Sequence, residues 1–427
     1  MQDIGRPVSL YNIDTISNLD IRHTDFIDSW AGFLVRFEAG GSRNWFFYDT
    51  LWQDIIIPNS PGSSGEARTW AYYCLLGVGS TSDLNSTNTP NRDIRFEHCT
   101  WNGLTSRFSN RTGGSIWPRL LQISGCAENA GNWARNCLVK NYGSGSRGGN
   151  RMVKTGRQGG SNNVSTNVSY TKGYWRWEKS VFNGVSGSEG LFNRKGGAIS
   201  GDWPGQQLID CWIENVYPEP DDPTRAILGP RAYNATVDNV YVKDATVSEG
   251  FWPNGYGNDY RGKTVAKNIT IDGMEITTSS DWGHIFHQGS STASDRPDFE
   301  LENIKVRNIS FAGGGLRALL HIRDTHGRVS IRRIDADVSG SGAGSFTLLE
   351  GNAPISSIDG TPTGVVRGVS QTFAQTGSNV ANRSLARYSG PSITGFLGTE
   401  PNYGSAHAAI DYGRGSGVEH VGCAPRS

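Results

Sequence analysis

Apolar and polar residues follow a nine-residue motif that recurs along the chain. With its first residue counted as position 0, apolar or small residues fill positions 1, 3, 6 and 8, as in NVYVKDATV from residue 239, NITIDGMEI from 268 and NIKVRNISF from 303. Ten copies align, beginning at residues 18, 44, 93, 131, 174, 205, 239, 268, 303 and 328. Because alternate residues of a strand share a face, positions 1 and 3 belong to one strand and positions 6 and 8 to another, and both strands face one core.

The phase of the alternation changes at position 5. In the ten copies this position holds His23, Asp49, His98, Asn136, Lys179, Asp210, Asp244, Gly273, Asn308 and Arg333. Asn, Asp, His and Gly tolerate a left-handed or bent backbone better than other residues do. The motif therefore predicts a strand, a one-residue bend and a second strand in each copy.

Position 6 holds small residues first and larger ones later. It reads Thr24, Thr50, Cys99, Cys137, Ser180, Cys211, Ala245, Met274, Ile309 and Ile334. Half of the six cysteines thus fall on one column, where we predict buried, reduced thiols that pack as small apolar groups. No CxxC pair occurs, so a zinc or redox motif is not indicated.

Stacked coils of short strands with loops of uneven length predict an all-β solenoid. Residues 8–340 resemble the right-handed parallel β-helix of the pectate-lyase-like superfamily. The reduced cysteines, the Gly-rich ends and the missing amphipathic cap before the first copy are most similar to bacteriophage tailspike depolymerases. This resemblance implies an endo-acting enzyme on a bacterial polysaccharide, a homotrimer, and a place outside the cell, on a virion tail or secreted. Residues 1–340 are predicted to form the helix, and 341–427 a C-terminal cap or trimerisation segment.

Composition narrows the classes of partner. The chain has 40 Lys and Arg against 40 Asp and Glu, which argues against a nucleic-acid-binding protein. No run approaches the ~18 apolar residues of a membrane span, and the first residues contain no apolar signal region. We expect neither nucleic acid nor membrane insertion.

Outward positions 2 and 4 supply the first candidate catalytic residues. Glu97 and Glu178 share position 4, two copies apart with Arg135 between them, so their backbones are roughly 9.5 Å apart. Inverting glycosidases hold two carboxyl groups about 6.5–9.5 Å apart to admit a water molecule. The same surface carries the candidates for substrate binding Arg95, Trp133, Arg135, Arg176 and Tyr241. A salt-bridge ladder is the alternative interpretation of this surface.

The segment WIENVYPEPDDPTR, residues 212–225, gives a second candidate site. Glu214, Asp221 and Asp222 are possible catalytic carboxylates in a proline-stiffened loop, and Trp212 and Tyr217 are candidates for substrate binding. Such a loop also suits Ca²⁺, which a lyase uses to acidify the proton beside a uronate carboxylate. We predict no cofactor for a hydrolase, and calcium only for a lyase.

Histidines give a third candidate site. In HIRDTHGR, residues 321–328, the set His321, Arg323, His326 and Arg328 suits a base and a carboxylate clamp, although its place near the last copy predicts edge structure. In GHIFHQG, alternation predicts that His284 and His287 point to opposite faces and share no metal.

The sequence therefore favours a polysaccharide depolymerase of the glycoside hydrolase type. Two alternatives stay open. The first is a secreted lyase or epimerase acting on uronate polymers. The second is a non-catalytic β-helix, either an adhesin that binds glycan or a structural virion protein.

Overall fold

Every regular element in the described part of the chain is a β-strand. The computed structural model describes residues 8–13, 16–27, 33–37, 42–54, 56–57, 74–79, 92–103, 105–106, 119–123, 131–142, 153–156, 175–187, 190–195, 206–218, 224–229, 235–254, 263–279, 283–289, 298–313, 315–323, 329–338, 341–343, 345–351, 358–359 and 364–367. Within these ranges no helix is long and apolar enough to cross a membrane.

One large sheet dominates the fold. Its strands are β2 (Ile16–Ser17), β3 (Asp20–Arg22), β4 (Asp25–Ile27), β6 (Ser42–Tyr48), β7 (Leu51–Gln53), β10 (Arg92–Glu97), β11 (Thr100–Asn102), β14 (Trp133–Arg135), β15 (Leu138–Tyr142), β17 (Trp175–Glu178), β18 (Val181–Val185), β20 (Gln206–Val216), β21 (Thr236–Val247), β23 (Lys263–Ile276), β25 (Asp298–Phe311), β27 (Val329–Asp337), β29 (Ile358–Asp359) and β30 (Gly364–Arg367).

Three smaller sheets complete the described strands. The first contains β1 (Val8–Ile13), β5 (Phe33–Phe37), β9 (Cys74–Gly79), β13 (Arg119–Ile123), β16 (Val153–Gly156) and β19 (Phe192–Lys195). The second contains β22 (Trp252–Asn254), β24 (Phe286–Gly289), β26 (Leu316–Arg323) and β28 (Ser345–Gly351), and the third pairs β8 (Ile56–Ile57) with β12 (Thr105–Ser106).

Successive rungs pair in parallel and in register. For example, β6 pairs with β10, β10 with β14, β14 with β17 and β17 with β20, and each pairing is parallel. This arrangement is compatible with a parallel β-helix or solenoid. The strands β28, β29 and β30 extend two of the sheets beyond residue 340. The rest of the predicted C-terminal segment lies outside the described residues, namely 344, 352–357, 360–363 and 368–427, so the domain division stays a prediction.

Left-handed bends divide the large sheet every five residues. At position 5 of the motif the bend is confirmed in nine of the ten copies, with φ between 48° and 55° at His23, Asp49, His98, Asn136, Lys179, Asp210, Asp244 and Asn308, and 78° at Gly273, whereas the bend predicted at Arg333 stays a prediction. The structure adds bends five residues before or after, at Asn18, Asn44, Asp54, Asp93, Gly103, Asn141, Gly184, Asn215, Asn239, Asn268 and Asn303. Amides stack along these bends, as where Asn303 Nδ2 donates to Asn268 Oδ1 at 2.6 Å.

The sequence alignment of the later copies was wrong by one five-residue unit. Cys211, at position 6 of the copy at 205, pairs with Val240, at position 1 of the copy at 239. The cause is that the motif nearly repeats itself after five residues, since positions 1 and 3 shifted by five become positions 6 and 8. The first half of the copy at 239 therefore stacks on the second half of the copy at 205, and the copies at 268 and 303 continue that register.

The core confirms the predicted thiol column. Cys99, Cys137 and Cys211 are free and buried. Each thiol approaches the carbonyl oxygen two residues earlier, at 3.4 Å for Cys99, 3.1 Å for Cys137 and 3.3 Å for Cys211. Burial raises the pKa of the Cys211 thiol to about 12 and raises that of Cys137 well above its usual value. These thiols are therefore packing groups.

Candidate functional site

The outer face of the large sheet carries the predicted carboxylate pair. Glu97 pairs with Arg135, and Arg135 pairs with Glu178, on three consecutive rungs formed by β10, β14 and β17. We call the side chains Tyr48, Glu97, Arg135, Glu178 and Ile209 outer row B. Their neighbours two residues earlier, Phe46, Arg95, Trp133, Arg176 and Gln207, form outer row A. The register confirms the predicted order of Glu97, Arg135 and Glu178.

The two carboxylates of row B have different surroundings. Glu178 Oε2 accepts a hydrogen bond from Arg135 Nη2 at 3.2 Å and forms an ion pair with Arg176 Nη2 at 3.3 Å, and its side chain is 15% exposed. Within the described part of the chain, no side-chain hydrogen bond or ion pair forms on Glu97. Among the described residues, one carboxylate is thus fixed between two guanidinium groups and the other is not.

Aromatic rings hold two of the arginines. The guanidinium of Arg135 lies 4.8 Å from the ring centre of Trp133, and that of Arg95 lies 5.7 Å from the ring centre of Phe46. Arg95 also donates to Asn44 Oδ1. These contacts bring Arg95, Trp133, Arg135 and Arg176 together on one surface beside Glu178, as the sequence predicts for a groove that binds glycan.

Glu214 lies in a strand, and the prediction that it belongs to an acidic loop was wrong. It is the ninth residue of β20 and is buried at 5% exposure. Its carboxylate accepts from Asn183 Nδ2 at 2.6 Å and from Trp212 Nε1 at 2.9 Å. The motif continues for one more five-residue unit here, with the bend at Asn215, and the sequence alignment stopped too early to show it.

Tyr241 pairs with Trp212. The aligned motif places Tyr241 and Gln207 at position 2 of neighbouring copies and so predicts Gln207 as its neighbour, which was wrong. The two rings pair in register, with centres 4.2 Å apart. Tyr241 Oη donates to Asp272 Oδ2 at 3.1 Å, and Arg307 Nε contacts the same oxygen at 3.0 Å. Burial, with the charge of Asp272, raises the pKa of Tyr241 to about 12. Trp212 and Tyr241 thus form a second aromatic surface, separate from Trp133.

The remaining members of the acidic segment are only partly described. Tyr217 is 37% exposed, and its hydroxyl donates to the carbonyl oxygen of Tyr142 at 3.0 Å. This contact anchors the chain directly after β20. Asp221 and Asp222 lie outside the described residues, so their predicted catalytic role stays a prediction.

The histidines form a buried cluster, contrary to two sequence predictions. His284 and His287 do not diverge, because His284 precedes β24 in a bend, and both rings contact His321 with centres 4.4 and 4.7 Å away. His321 Nδ1 lies 2.8 Å from His287 Nδ1. His321 is not edge structure, since β26 pairs with both β24 and β28. Arg323 ends β26, while His326 and Arg328 lie outside the described residues.

Sequence reasoning also missed polar contacts at the bends. His23 Nδ1 lies 2.6 Å from Asp49 Oδ2, and both residues occupy position 5 of neighbouring copies. The motif alignment contains the signal for this contact, because residues at one position of successive copies become neighbours. Among the described residues, no group of three His, Cys, Asp or Glu side chains is arranged to bind a metal ion.

The chain was also compared with known proteins. No protein-family model, no curated protein and no solved structure matches it. The candidate site therefore has to be judged from its own residues.

Proposed function

We propose that this chain cleaves a polysaccharide on the outer face of its large sheet, as an endo-acting glycoside hydrolase. The observation that carries the proposal is the line of Glu97, Arg135 and Glu178 on three consecutive rungs. Two rung spacings separate the carboxylate-bearing backbones by roughly 9.5 Å, which suits hydrolysis by a water molecule held between the two groups.

The contacts suggest a role for each carboxylate. Glu178 accepts a hydrogen bond from Arg135, forms an ion pair with Arg176 and serves as the base that activates water. Glu97, with no such contact to any residue that the structure describes, serves as the acid that protonates the departing glycosidic oxygen. Arg135 fixes Glu178 and also packs on Trp133, so it links the reacting groups to the surface that holds the sugar.

The wider assembly belongs to the same proposal. A right-handed β-helix of the pectate-lyase-like kind, a homotrimer and a place on a virion tail or among secreted enzymes all fit the sequence resemblance. Grooves of this architecture share no recognition motif, so the glycan has to be found by experiment.

A panel of capsular, O-antigen and uronate polysaccharides tests the proposal. Purified chain is incubated with each polymer, and new reducing ends and the ultraviolet absorbance of unsaturated sugars are followed together. The proposal expects reducing ends without the absorbance. A rise of both signals would establish a lyase and would move attention to Glu214, Asp221 and Asp222.

Glycan binding without cleavage is the second candidate function. The ion pairs of Glu178 with Arg135 and Arg176 favour this candidate over the hydrolase, because a structural salt-bridge ladder also holds a carboxylate between two cations and gives it no catalytic role. Binding of one polymer with no new reducing ends would support this candidate against the hydrolase.

A further inference from the structure

Two of the described tryptophans lie outside the core. Six others are buried at 0–2% exposure, namely Trp45, Trp52, Trp101, Trp175, Trp177 and Trp252. Trp133 and Trp212 instead lie on the outer face and are partly exposed. Trp212 also packs against a small buried cluster of Leu51, Leu138 and Val181, so only the exposed parts of these two rings offer apolar surface to a ligand.

The register places Glu178 between these two rings. Trp133 pairs with Arg176, and Glu178 follows two residues later on the same face. Glu178 pairs with Ile209, and Trp212 follows three residues later, beyond the bend at Asp210. The step from Trp133 to Glu178 covers one rung and two residues, so their backbones are roughly 8 Å apart. The step from Glu178 to Trp212 covers one rung and three residues, so their backbones are at most about 11 Å apart. A diagonal line from Trp133 to Trp212 therefore passes Glu178.

Both rings are fixed by polar contacts of the chain itself. Arg135 covers part of Trp133 at 4.8 Å, and Trp212 Nε1 donates to Glu214 Oε2 at 2.9 Å while its ring packs on Tyr241. A ring that is held before binding loses little conformational freedom when a ligand arrives. With the indole N–H of Trp212 already bonded, the part of its ring that stays exposed is suited to the C–H bonds of a sugar ring.

The charges near one ring indicate what kind of sugar it accepts. Arg95, Arg135 and Arg176 surround Trp133 on rows A and B, and the side chains of Arg135 and Arg176 are 40% and 38% exposed. Planar guanidinium groups match carboxylate groups in shape and charge. Trp212 has instead the carboxylate of Glu214 beside it. The Trp133 end therefore suits an acidic sugar.

We propose that an extended acidic polysaccharide crosses the rungs diagonally, with one sugar ring on Trp133, another on Trp212, and the bond between them facing Glu178. The position of the cleaved bond rests on the proposed hydrolase function. The path of the strand does not, because it depends on the two aromatic surfaces and the arginines.

Hydroxyl-radical footprinting of tryptophan, read by mass spectrometry, tests the path. The chain is exposed to the radical with and without polygalacturonate, alginate, hyaluronan, bacterial capsular polysaccharides and neutral dextran, both as wild type and as Glu178→Gln. The proposal expects at least one acidic polymer to lower the oxidation of Trp133 and Trp212 together, with Trp45 and Trp252 unchanged. Protection of Trp133 alone would indicate a strand parallel to the stack of rungs and would overturn the proposal, as would protection of neither ring.

Affinity measurements with the protecting polymer give a second test. Trp133→Ala and Trp212→Ala should each weaken binding about tenfold or more, whereas Lys305→Ala, farther along the outer face in the row of Trp212, should not. Equal binding by Trp212→Ala and wild type would contradict the path. Protection of both rings without any cleavage would reject the hydrolase and keep the path. Cleavage with protection of Trp133 alone would support the hydrolase and reject the path.

Discussion

Two regions of the large sheet share one bend pattern and differ in what fills them. The first region, residues 42–185, has short strands and an aromatic core that contains Trp52, Phe96 and Trp177. The second region, residues 206–311, has strands of 11 to 14 residues and a core of mainly aliphatic residues such as Val242, Ile271 and Val306. The same backbone repeat therefore accepts two kinds of core.

Volume is balanced within each region. Where the rings are large, the column beside them holds Thr50, Cys99, Cys137, Ser180 and Cys211, and where the core is aliphatic the same column continues as Val240, Ile269 and Ile304. The rung with Ala134 is filled from both sides, since Phe96 and Trp175, two rungs apart, have ring centres 5.9 Å apart. Large and small residues thus alternate to reach the density of a protein interior.

Removing a ring from the first region should have the largest effect. We expect Trp177→Ala to lower the free energy of unfolding by about 3–5 kcal/mol, because the indole is fully buried and touches Trp101 and Phe182. Denaturant unfolding measures the loss. Val237→Ala, in the same column of the second region, should lose less, and an equal loss would contradict the difference between the regions.

Larger residues in the column that contains Cys137 and Val240 should have the second-largest effect and should distinguish the two regions. Cys137→Ile adds volume beside packed rings and is expected to cost about 1–3 kcal/mol of unfolding free energy. Val240→Ile adds one methylene among aliphatic neighbours and should cost less. The two variants are compared by denaturant midpoint, and greater tolerance at Cys137 than at Val240 would show that volume is not what distinguishes the columns.

Two carboxylates of the second region should respond to pH in opposite directions. Burial raises the pKa of Glu249 above 4.5 against the pull of Arg225, so its contribution to stability is present at low pH and is lost as pH rises through the raised value. Burial also opposes ionisation of Asp272, but Asn308, Arg307 and Tyr241 together lower its pKa below 3.8, so its contribution is lost as pH falls.

Unfolding free energies of Glu249→Gln and Asp272→Asn, each compared with wild type across the acid range, measure these contributions. The advantage of wild type over Glu249→Gln should shrink as pH rises, and its advantage over Asp272→Asn should grow. Parallel slopes for the two variants would contradict the assignments.

The smallest effect is expected at the bends. Lys179 holds φ of 48°, where a β-carbon is unfavourable, so Lys179→Gly should raise the unfolding free energy by up to about 1 kcal/mol. Asn268 tolerates its φ of 53° and donates to Asp238 Oδ1, so Asn268→Gly should give no gain. Thermal unfolding of both variants makes the comparison, and stabilisation of Asn268→Gly would count against the amide ladder.

The sequence predicted the local geometry better than the alignment of distant rungs. Bends at His98 and Asp210 and a buried Cys137 follow from residue type and alternation alone. The register of Tyr241 does not, because a motif that repeats after five residues fits two alignments equally well, and only the pairing of Cys211 with Val240 decides between them. The contact of His287 with His321 joins residues 34 positions apart and has no local signal.

In the candidate site, too, the predictions were right where the rungs were aligned correctly and wrong where they were not. Glu97, Arg135 and Glu178 lie in the first region, where the alignment was right, and the structure places them on consecutive rungs as predicted. Glu214 lies where the alignment ended too early, and its bonds to Asn183 and Trp212 were not expected. Outward residues could be assigned from alternation, whereas their partners depended on the register.

Hydrolysis by Glu178 is the central claim, and a matched pair of variants tests it most directly. Glu302 also lies on the outer face in the continuation of row B, beside Lys267 at 3.5 Å, so Glu302→Gln controls for the loss of an outward carboxylate with a cationic partner. Initial rates of reducing-end release are measured on the polysaccharide that wild type cleaves best. We predict that Glu178→Gln lowers the rate by about 10²–10⁴-fold while Glu302→Gln keeps it. Equal rates for the two variants would contradict the account.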